Sequence, residues 1–414
     1  MSKSRSRLAA DWFAKLRVNS TTQEVEHEDV ADVETTVNTT VSNDITNLQN
    51  TVNTDLTALE SRLDSTTNDG YLVPKSNASA PSNPVNGQIW VDTANQDQIF
   101  HWNATRNEWM QMSNVPFSAT GGSVTTAGAY KYHTFTSSGA FVVEGASGEN
   151  IDYLIVAGGG SGGSRHGGGG GGGGVLFIQG ATLPTGTYTI NIGAGAASRN
   201  DCNNGNQGGN TTAFGETAIG GGGGTAYTGS ACSRNSGGSG GGADGRACSS
   251  GGSSTQGNPV LAFGGTGTKY GNSGRAAPHV HLNGGGGGAG NGGGTSQNGG
   301  AGIQISNMSP TGATLFWAAG GGGGCWSDYT TAGHGGLGGG GGGSVAPSGT
   351  GGSGGTGGLN NGGSGNSGGT NTTAGNGGAN TGSGGGGVGQ ACHESYSGNS
   401  GAGGSGIVII RYPI

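Results

Sequence analysis

The chain has 414 residues; 102 are glycine, 30% are hydrophobic and only 9% are charged, with a net charge of −7. So little apolar side chain excludes an ordinary core of this length, and so little charge separates the sequence from disordered chains that charge keeps in solution. The acidic balance argues against nucleic acid as the main partner, and no apolar run approaches the ~20 residues that cross a bilayer.

Residues 1–29 form a basic, mildly amphipathic head followed by an acidic run. Lys3, Arg5, Arg7, Lys15 and Arg17 carry its charge, while Leu8, Trp12, Phe13 and Leu16 fall at helical spacing and offer one face to a partner. No apolar stretch follows the basic residues, so a secretory signal is not expected.

Residues 30–68 predict a helix. Apolar side chains step by three and four from Val30 and Val33 to Leu63, and Val30, Val41, Val52 and Leu63 lie eleven apart. A strict heptad brings Asp55 into the seam, whereas an eleven-residue repeat brings Leu56 there. The remaining faces are Thr, Asn, Asp and Gln. The expectation is a parallel homotrimeric coiled coil, roughly 50 Å long at ~1.5 Å per residue. Its seam would be Val30, Val37, Val41, Ile45, Leu48, Val52, Leu56, Leu59 and Leu63.

Residues 71–115 read as a small β-meander. Gln88–Asp92, Gln98–Trp102 and Glu108–Met112 alternate apolar and polar residues between polar turns. Trp90, Trp102 and Trp109 suggest a core rather than a sugar platform.

From residue 116 glycine dominates, but strand-like runs frame it: Tyr130–Phe135, Ala140–Val143, Asp152–Val156, Tyr188–Ile192 and Gly406–Tyr412. Between them lie glycine runs such as Gly167–Gly174, Gly220–Gly224, Gly284–Gly288 and Gly320–Gly324. A flexible tether is the plain reading of one such run. Here many recur, with polar connections between them, and a closing strand follows them all. Side-chain-free segments can adopt an extended helix of three residues per turn, whose amides and carbonyls project sideways to neighbours. The expectation is therefore an ordered polyglycine-helix sandwich with the chemistry confined to its connections. The candidate binding residues there are Arg199, Asp201, Tyr227, Arg234, Lys269, Tyr270, Trp326, Asp328, Tyr329, His393, Glu394 and Tyr396.

Catalytic and cofactor signatures are missing from the sequence. GxGxxG matches carry no information in sequence so rich in glycine. Gly264–Lys269 lacks the Gly before Lys and the Ser or Thr after it that a phosphate loop needs. Glu144, Glu149, Asp152, Glu216, Asp244, Asp328 and Glu394 show no pairing suited to glycoside hydrolysis. No enzyme activity and no cofactor are expected. The five cysteines fit no zinc spacing; one or two disulfides are plausible and the odd count leaves a thiol over. His279 and His281 form a weak metal candidate, since a trimer would bring six imidazoles together.

The stretches Asp152-Tyr-Leu-Ile-Val-Ala-Gly-Gly-Gly160, Gly186-Thr-Tyr-Thr-Ile-Asn-Ile-Gly-Ala-Gly195 and Gly404–Pro413 resemble the glycine-rich domains of tailed-phage structural proteins. The segment 80–112, which opens Ala80-Pro-Ser-Asn-Pro-Val-Asn-Gly-Gln-Ile-Trp-Val-Asp92, resembles a module of tail fibres, those of marine cyanobacterial phages in particular. The resemblance implies a virion fibre or adhesin, mounted through its N-terminus (1–29) on other virion proteins and displaying polar loops to a host surface glycan or outer-membrane protein. It carries over no map of binding residues. The rival readings are a structural virion decoration, a polysaccharide depolymerase and an extracellular filament. The expected fold class is mixed, mostly β and irregular: trimeric coiled coil (30–68), antiparallel β module (71–115) and strand-framed glycine-rich domain (116–414).

Overall fold

A computed structural model describes residues 27–63, 75–94, 98–112, 117–227, 235–246, 248, 250–292, 297–326, 329–390 and 395–414. The chain divides into two compact units, Met1–Asn114 and Val115–Ile414.

The first unit holds helix α1 (His27–Leu63) and strands β1 (Lys75–Asn77), β2 (Ile89–Asp92), β3 (Gln98–Asn103) and β4 (Glu108–Gln111). Threonine is a poor helix former, but here its hydroxyl is satisfied within α1. Thr39, Thr46, Thr51, Thr54 and Thr57 each donate to the carbonyl four residues back, at 2.7–2.8 Å. The expected coiled coil is corrected. This is the single helix among the described residues, and Val41, Ile45, Leu48, Val52 and Leu56 are 39–68% exposed along it. Three-four spacing specifies a helix; it does not specify that a second helix covers the stripe. The seam positions Val30, Val37, Leu59 and Leu63 lie on the same helix.

The three-stranded meander is present, with one further strand at its edge. Strands β2, β3 and β4 are antiparallel as their alternation requires, but β1 joins the edge in parallel with β2. Lys75-Ser-Asn77 has no apolar alternation, so nothing in it reads as a strand. Its register is set instead by the Trp90 indole, which donates to Asn77 O at 3.0 Å. Trp90 packs on Phe100 and Trp109, with ring centroids 5.0 and 5.6 Å away.

The second unit begins with β5 (Ser118–Thr120), β6 (Ser123–Ala127), β7 (Tyr130–Phe135), β8 (Gly139–Glu144), β9 (Gly148–Val156), β10 (Val175–Leu183) and β11 (Gly186–Ile190). Next come β12 (Thr211–Ala213), β13 (Glu216–Ala218) and β14 (Thr266–Tyr270), then the two-residue strands β15 (Ile303–Gln304), β16 (Phe316–Trp317), β17 (Cys325–Trp326) and β18 (Val345–Ala346). The chain closes on β19 (Ile407–Pro413). A six-stranded sheet runs β14-β10-β9-β19-β7-β6, and a three-stranded sheet runs β11-β8-β5. Ile407 to Ile410 are uniformly apolar because both faces of β19 are covered. Val408 and Ile410 join Tyr153, Ile155 and Phe141 in one core, while Ile407 and Ile409 join Leu154, Met308 and Trp317 in the other. Arg411 on β19 donates to Asp152 on β9 at 2.7 and 2.9 Å, and the other Asp152 oxygen accepts from Gly180 N. That buried pair ties three neighbouring strands together.

Beyond the sheets, the glycine segments have neither strand nor α-helix geometry, yet they are hydrogen-bonded to one another, and runs such as 167–174, 220–224 and 320–324 are buried. Residues 167–174 show the rule. Gly167, Gly170 and Gly173 donate to Val388, Gly385 and Gly382; Gly168, Gly171 and Gly174 donate to Thr225, Gly222 and Ile219; Gly169 and Gly172 donate to Gly284 and Gly287. Every third amide thus faces the same neighbour, which is an extended helix of three residues per turn. The carbonyls follow the same period, accepting from 157–163, 239–242 and 321–324. One segment therefore has six neighbours, three by its donors and three by its acceptors. A Cβ on Gly168, Gly169 or Gly170 would stand 2.1–2.2 Å from a neighbour's carbonyl oxygen. The fold class is accordingly a β-rich, irregular glycine-rich fold preceded by one helix.

Two stability predictions follow from these contacts. Gly170→Ala places a methyl against Gly160 O and should cost about 3 kcal/mol or more, whereas Gly257→Ala, with nothing within 4 Å, should be neutral or stabilising; thermal unfolding of the two variants checks this. Arg411→Met leaves Asp152 buried and unpaired and should cost about 3 kcal/mol, much of it restored by Asp152→Leu in the same chain, as read from denaturant midpoints.

Candidate functional site

The lattice sorts the chain into two ends. At the Gly174 end the segments run into strands: Ala157 follows β9, Val175 opens β10 and Ile219 follows β13. At the Gly167 end the partners are Gly163, Thr225, Gly242, Gly284, Gly324 and Val388. The connection beyond each of these is a stretch poorer in glycine, so six connections meet at one tip. Side chains excluded from the lattice have room there.

The shortest connection, Ser164-Arg165-His166, lies at the centre. His166 adopts a left-handed φ of 41° and is 4% exposed, with its amide donating to Gly389 O at 3.1 Å. A non-glycine residue holds that conformation only where its surroundings fix it. Its ring stacks on His281 at 6.0 Å and meets Tyr227 and Trp326 edge-on at 5.9 and 5.5 Å. Trp326 continues to Tyr396, and His279 to Tyr329. The guanidiniums of Arg165 and Arg246 lie 5.2 and 5.1 Å from the Tyr227 ring centre. Arg246 Nη2 is 2.6 Å from His281 Nε2. A guanidinium can only donate, so that imidazole nitrogen accepts.

Hydrogen bonds from the lattice hold these loops. Asn283 Nδ2 donates to Gly324 O at 2.7 Å and its Oδ1 accepts from Gly245 N. Thr225 Oγ1 accepts from Asp244 N, and Asn204 Oδ1 from Ala226 N. Cys325 carries a free buried thiol that donates to Tyr329 O at 3.1 Å, and burial pushes its pKa up to about 11, so it is not a thiolate nucleophile. Cys202 and Cys248 are disulfide-bonded; Cys232 and Cys392 fall outside the described residues.

Of the sequence-predicted binding residues, Tyr227, Trp326, Tyr329 and Tyr396 meet in this cluster. Arg199 and Asp201 stand at the same end but apart from it, joined in an ion pair that holds Asp201 down to about 2. Their loop is fixed by Ser400, whose hydroxyl accepts from Arg199 N. Lys269 and Tyr270 are placed elsewhere: both belong to β14, paired with Leu176 and Val175 at the sheet end. Their alternation is that of an edge strand, not of a tip loop. Arg234, Asp328, His393 and Glu394 fall outside the described residues. Sequence reasoning missed Arg165, His166, Arg246 and Gln390. The available signal was Ser164-Arg-His166 itself, bulky residues dropped into a connection too short to be a spacer.

His279 and His281 gather no metal set. His279 Nδ1 faces the His281 amide at 3.4 Å, His281 Nε2 faces Arg246, and among the described residues no group of three His, Cys, Asp or Glu could hold a metal ion. Several of the carboxylates have structural partners. Asp152 pairs with Arg411, Glu216 accepts from Val260 N and Leu261 N at 2.7 and 2.6 Å, and Asp244 accepts from Arg246 N.

Burial first, then the positive charge of Arg246 and Arg165 and the neighbouring His281, hold the His166 pKa down to about 3 from 6.5. Between those values the unfolded chain binds a proton that the folded tip refuses. Stability should therefore fall as pH drops below 6.5, by about 1.4 kcal/mol per unit until pH approaches 3. Buried His133, on β7, adds a slope of the same sign. His166→Asn, which tolerates the left-handed backbone, should flatten the profile between pH 6.5 and 4 in proportion to its share. An unchanged profile in thermal unfolding across that range would refute the assignment.

A family model described as a glycine-rich domain matches residues 136–368, from the turn after β7 through the connection that follows 362–365. No curated protein matches the chain. With more than half its length matched, and with the matched region taking in 167–174 and five of its six neighbouring segments, the chain belongs to the glycine-rich domain family.

Proposed function

We propose that the chain is a fibre or adhesin of a tailed-phage particle, and that it attaches to a host cell surface through the Gly167-end tip. The observation that carries this is the segregation of chemistry. The lattice interior is built from residues with no side chain to offer, whereas one end brings together Arg165, His166, Tyr227, Arg246, His281 and Trp326 from five connections. A scaffold whose every segment is hydrogen-bonded to its neighbours presents such loops at little entropic cost on binding. Membership of the glycine-rich family and the resemblance of 80–112 to a tail-fibre module support the same reading. On this proposal residues 1–29 mount the chain on other virion proteins.

The purified chain, added in excess, should coat intact host cells and reduce infection by the particle that encodes it. Trp326→Ala should reduce the coating about tenfold or more, as truncating an aromatic anchor does. Full infectivity at saturating protein, with no cell-bound chain, would instead identify a decoration.

A further inference from the structure

The tip contains polar groups that the fold leaves unused. Arg165 Nε, His166 Nδ1 and Gln390 Oε1 are buried without a hydrogen-bond partner, and His166 and Gln390 are 4% and 3% exposed. Arg165 and Gln390 face each other across an antiparallel bridge, so these atoms belong to one place. Among the described residues, neither Arg165 nor Arg246 has a carboxylate within ion-pair distance, unlike Arg199 and Arg411, which do. Asp244 is close in sequence to Arg246, but one of its oxygens is committed to the Arg246 amide. A guanidinium gains most from a bidentate acid; here two of them are held beside imidazoles and a tyrosine ring in an acidic protein. Buried polar atoms without partners are rare in native proteins and ask for an explanation. A ligand that brings the acid is the simplest.

We propose that this cluster is a subsite for an acidic saccharide: Arg165 and Arg246 take its carboxylate or phosphate, Gln390 and His166 take neighbouring hydroxyls, and the Trp326–Tyr396 pair takes the face of a sugar ring. This deepens the surface-attachment reading and rests on it. The apolar area on offer is a set of aromatic rings, with centroids 5.2 Å apart in the Trp326–Tyr396 pair. Flat rings suit a ring-shaped ligand edged with hydroxyls; an acidic peptide would need pockets for its side chains. The low pKa of His166 agrees, since it keeps the imidazole neutral and able to accept from a hydroxyl at ordinary pH.

The test is equilibrium binding of the full chain to immobilised oligogalacturonate, phosphomannan, neutral dextran and polyglutamate. Binding to oligogalacturonate, phosphomannan or both, weakening from low salt to about 0.3 M, with dextran and polyglutamate ignored, is the expected result. Which acidic glycan binds tells carboxylate from phosphate. Arg246→Ala and Arg165→Ala should each weaken binding about tenfold or more. Arg246→Lys should retain only part of the wild-type binding, and Arg199→Ala should leave binding unchanged, because Arg199 already has its acid. Arg246 is exposed, so its variants should unfold at the wild-type temperature, which keeps the comparison valid. Equal binding to dextran or polyglutamate, no binding to either acidic glycan, or an Arg246→Ala chain that binds normally would each overturn the proposal. A chain that coats host cells yet ignores both acidic glycans would end this assignment alone; one that binds them and leaves cells uncoated would end the attachment reading alone.

Discussion

Everything in the second unit depends on the backbone hydrogen bond between segments that have no Cβ. An extended threefold segment makes no bonds to itself, so each amide and carbonyl must find a partner in another segment. At Gly167–Gly174 the eight amides are shared among three neighbours, and carbonyls of the same stretch serve three more. A side chain at most of these positions would push into a carbonyl oxygen near 2 Å. Glycine is therefore required for a steric reason, while its entropy makes it the most expensive residue to order. Fixing one residue's backbone costs about 1–2 kcal/mol, and one hydrogen bond contributes about 1 kcal/mol net. A lone segment has no reason to order. A segment with six neighbours adds dispersion from close backbone contact to both of its hydrogen bonds, so order arises collectively or not at all.

Collective order needs a boundary, and the sheets provide it. The two cores around β9, β10 and β19 are ordinary hydrophobic packing, with Tyr153, Leu154, Ile155, Ile407 and Ile409 fully buried. Because β9 runs straight into 157–163 and 174 straight into β10, the sheet fixes the position of the first two segments. The last strand then inserts between β9 and β7, with Arg411 on Asp152, so the closing strand of the second unit locks two of its early ones. The lattice grows from the sheets, and the tip stands at the end farthest along those segments from them.

Strands were the readable part of the sequence, because β-branched and aromatic runs such as Tyr130–Phe135 and Gly406–Tyr412 specify extended backbone wherever they lie. The helix could be read for the same reason, but not what surrounds it: periodicity in Val41, Ile45, Leu48 and Val52 speaks of one face and is silent on its cover. The site was half readable. Aromatic residues flanking glycine runs, Tyr227, Trp326, Tyr329 and Tyr396, do converge. Lys269 and Tyr270 looked the same in sequence and sit at the other end, because glycine runs are interchangeable in composition and nothing local says which way each one points. Arg165 and His166 were hidden by the brevity of their turn, whose meaning lies in the five connections around it.

The three-residue period sets a rule for how such a molecule can change its length. Adding one residue within 167–174 would rotate every later amide by a third of a turn and aim it at the wrong neighbour. Three residues would restore the phase but shift the heights of all partners together. The connections at the Gly167 end have no three-residue phase to keep, so away from anchors such as Asn204 and Asn283 they can be rewritten without shifting the lattice. The architecture thus divides the sequence into a part where variation is counted in whole turns and a part where it is free. The free part is the one that faces outward.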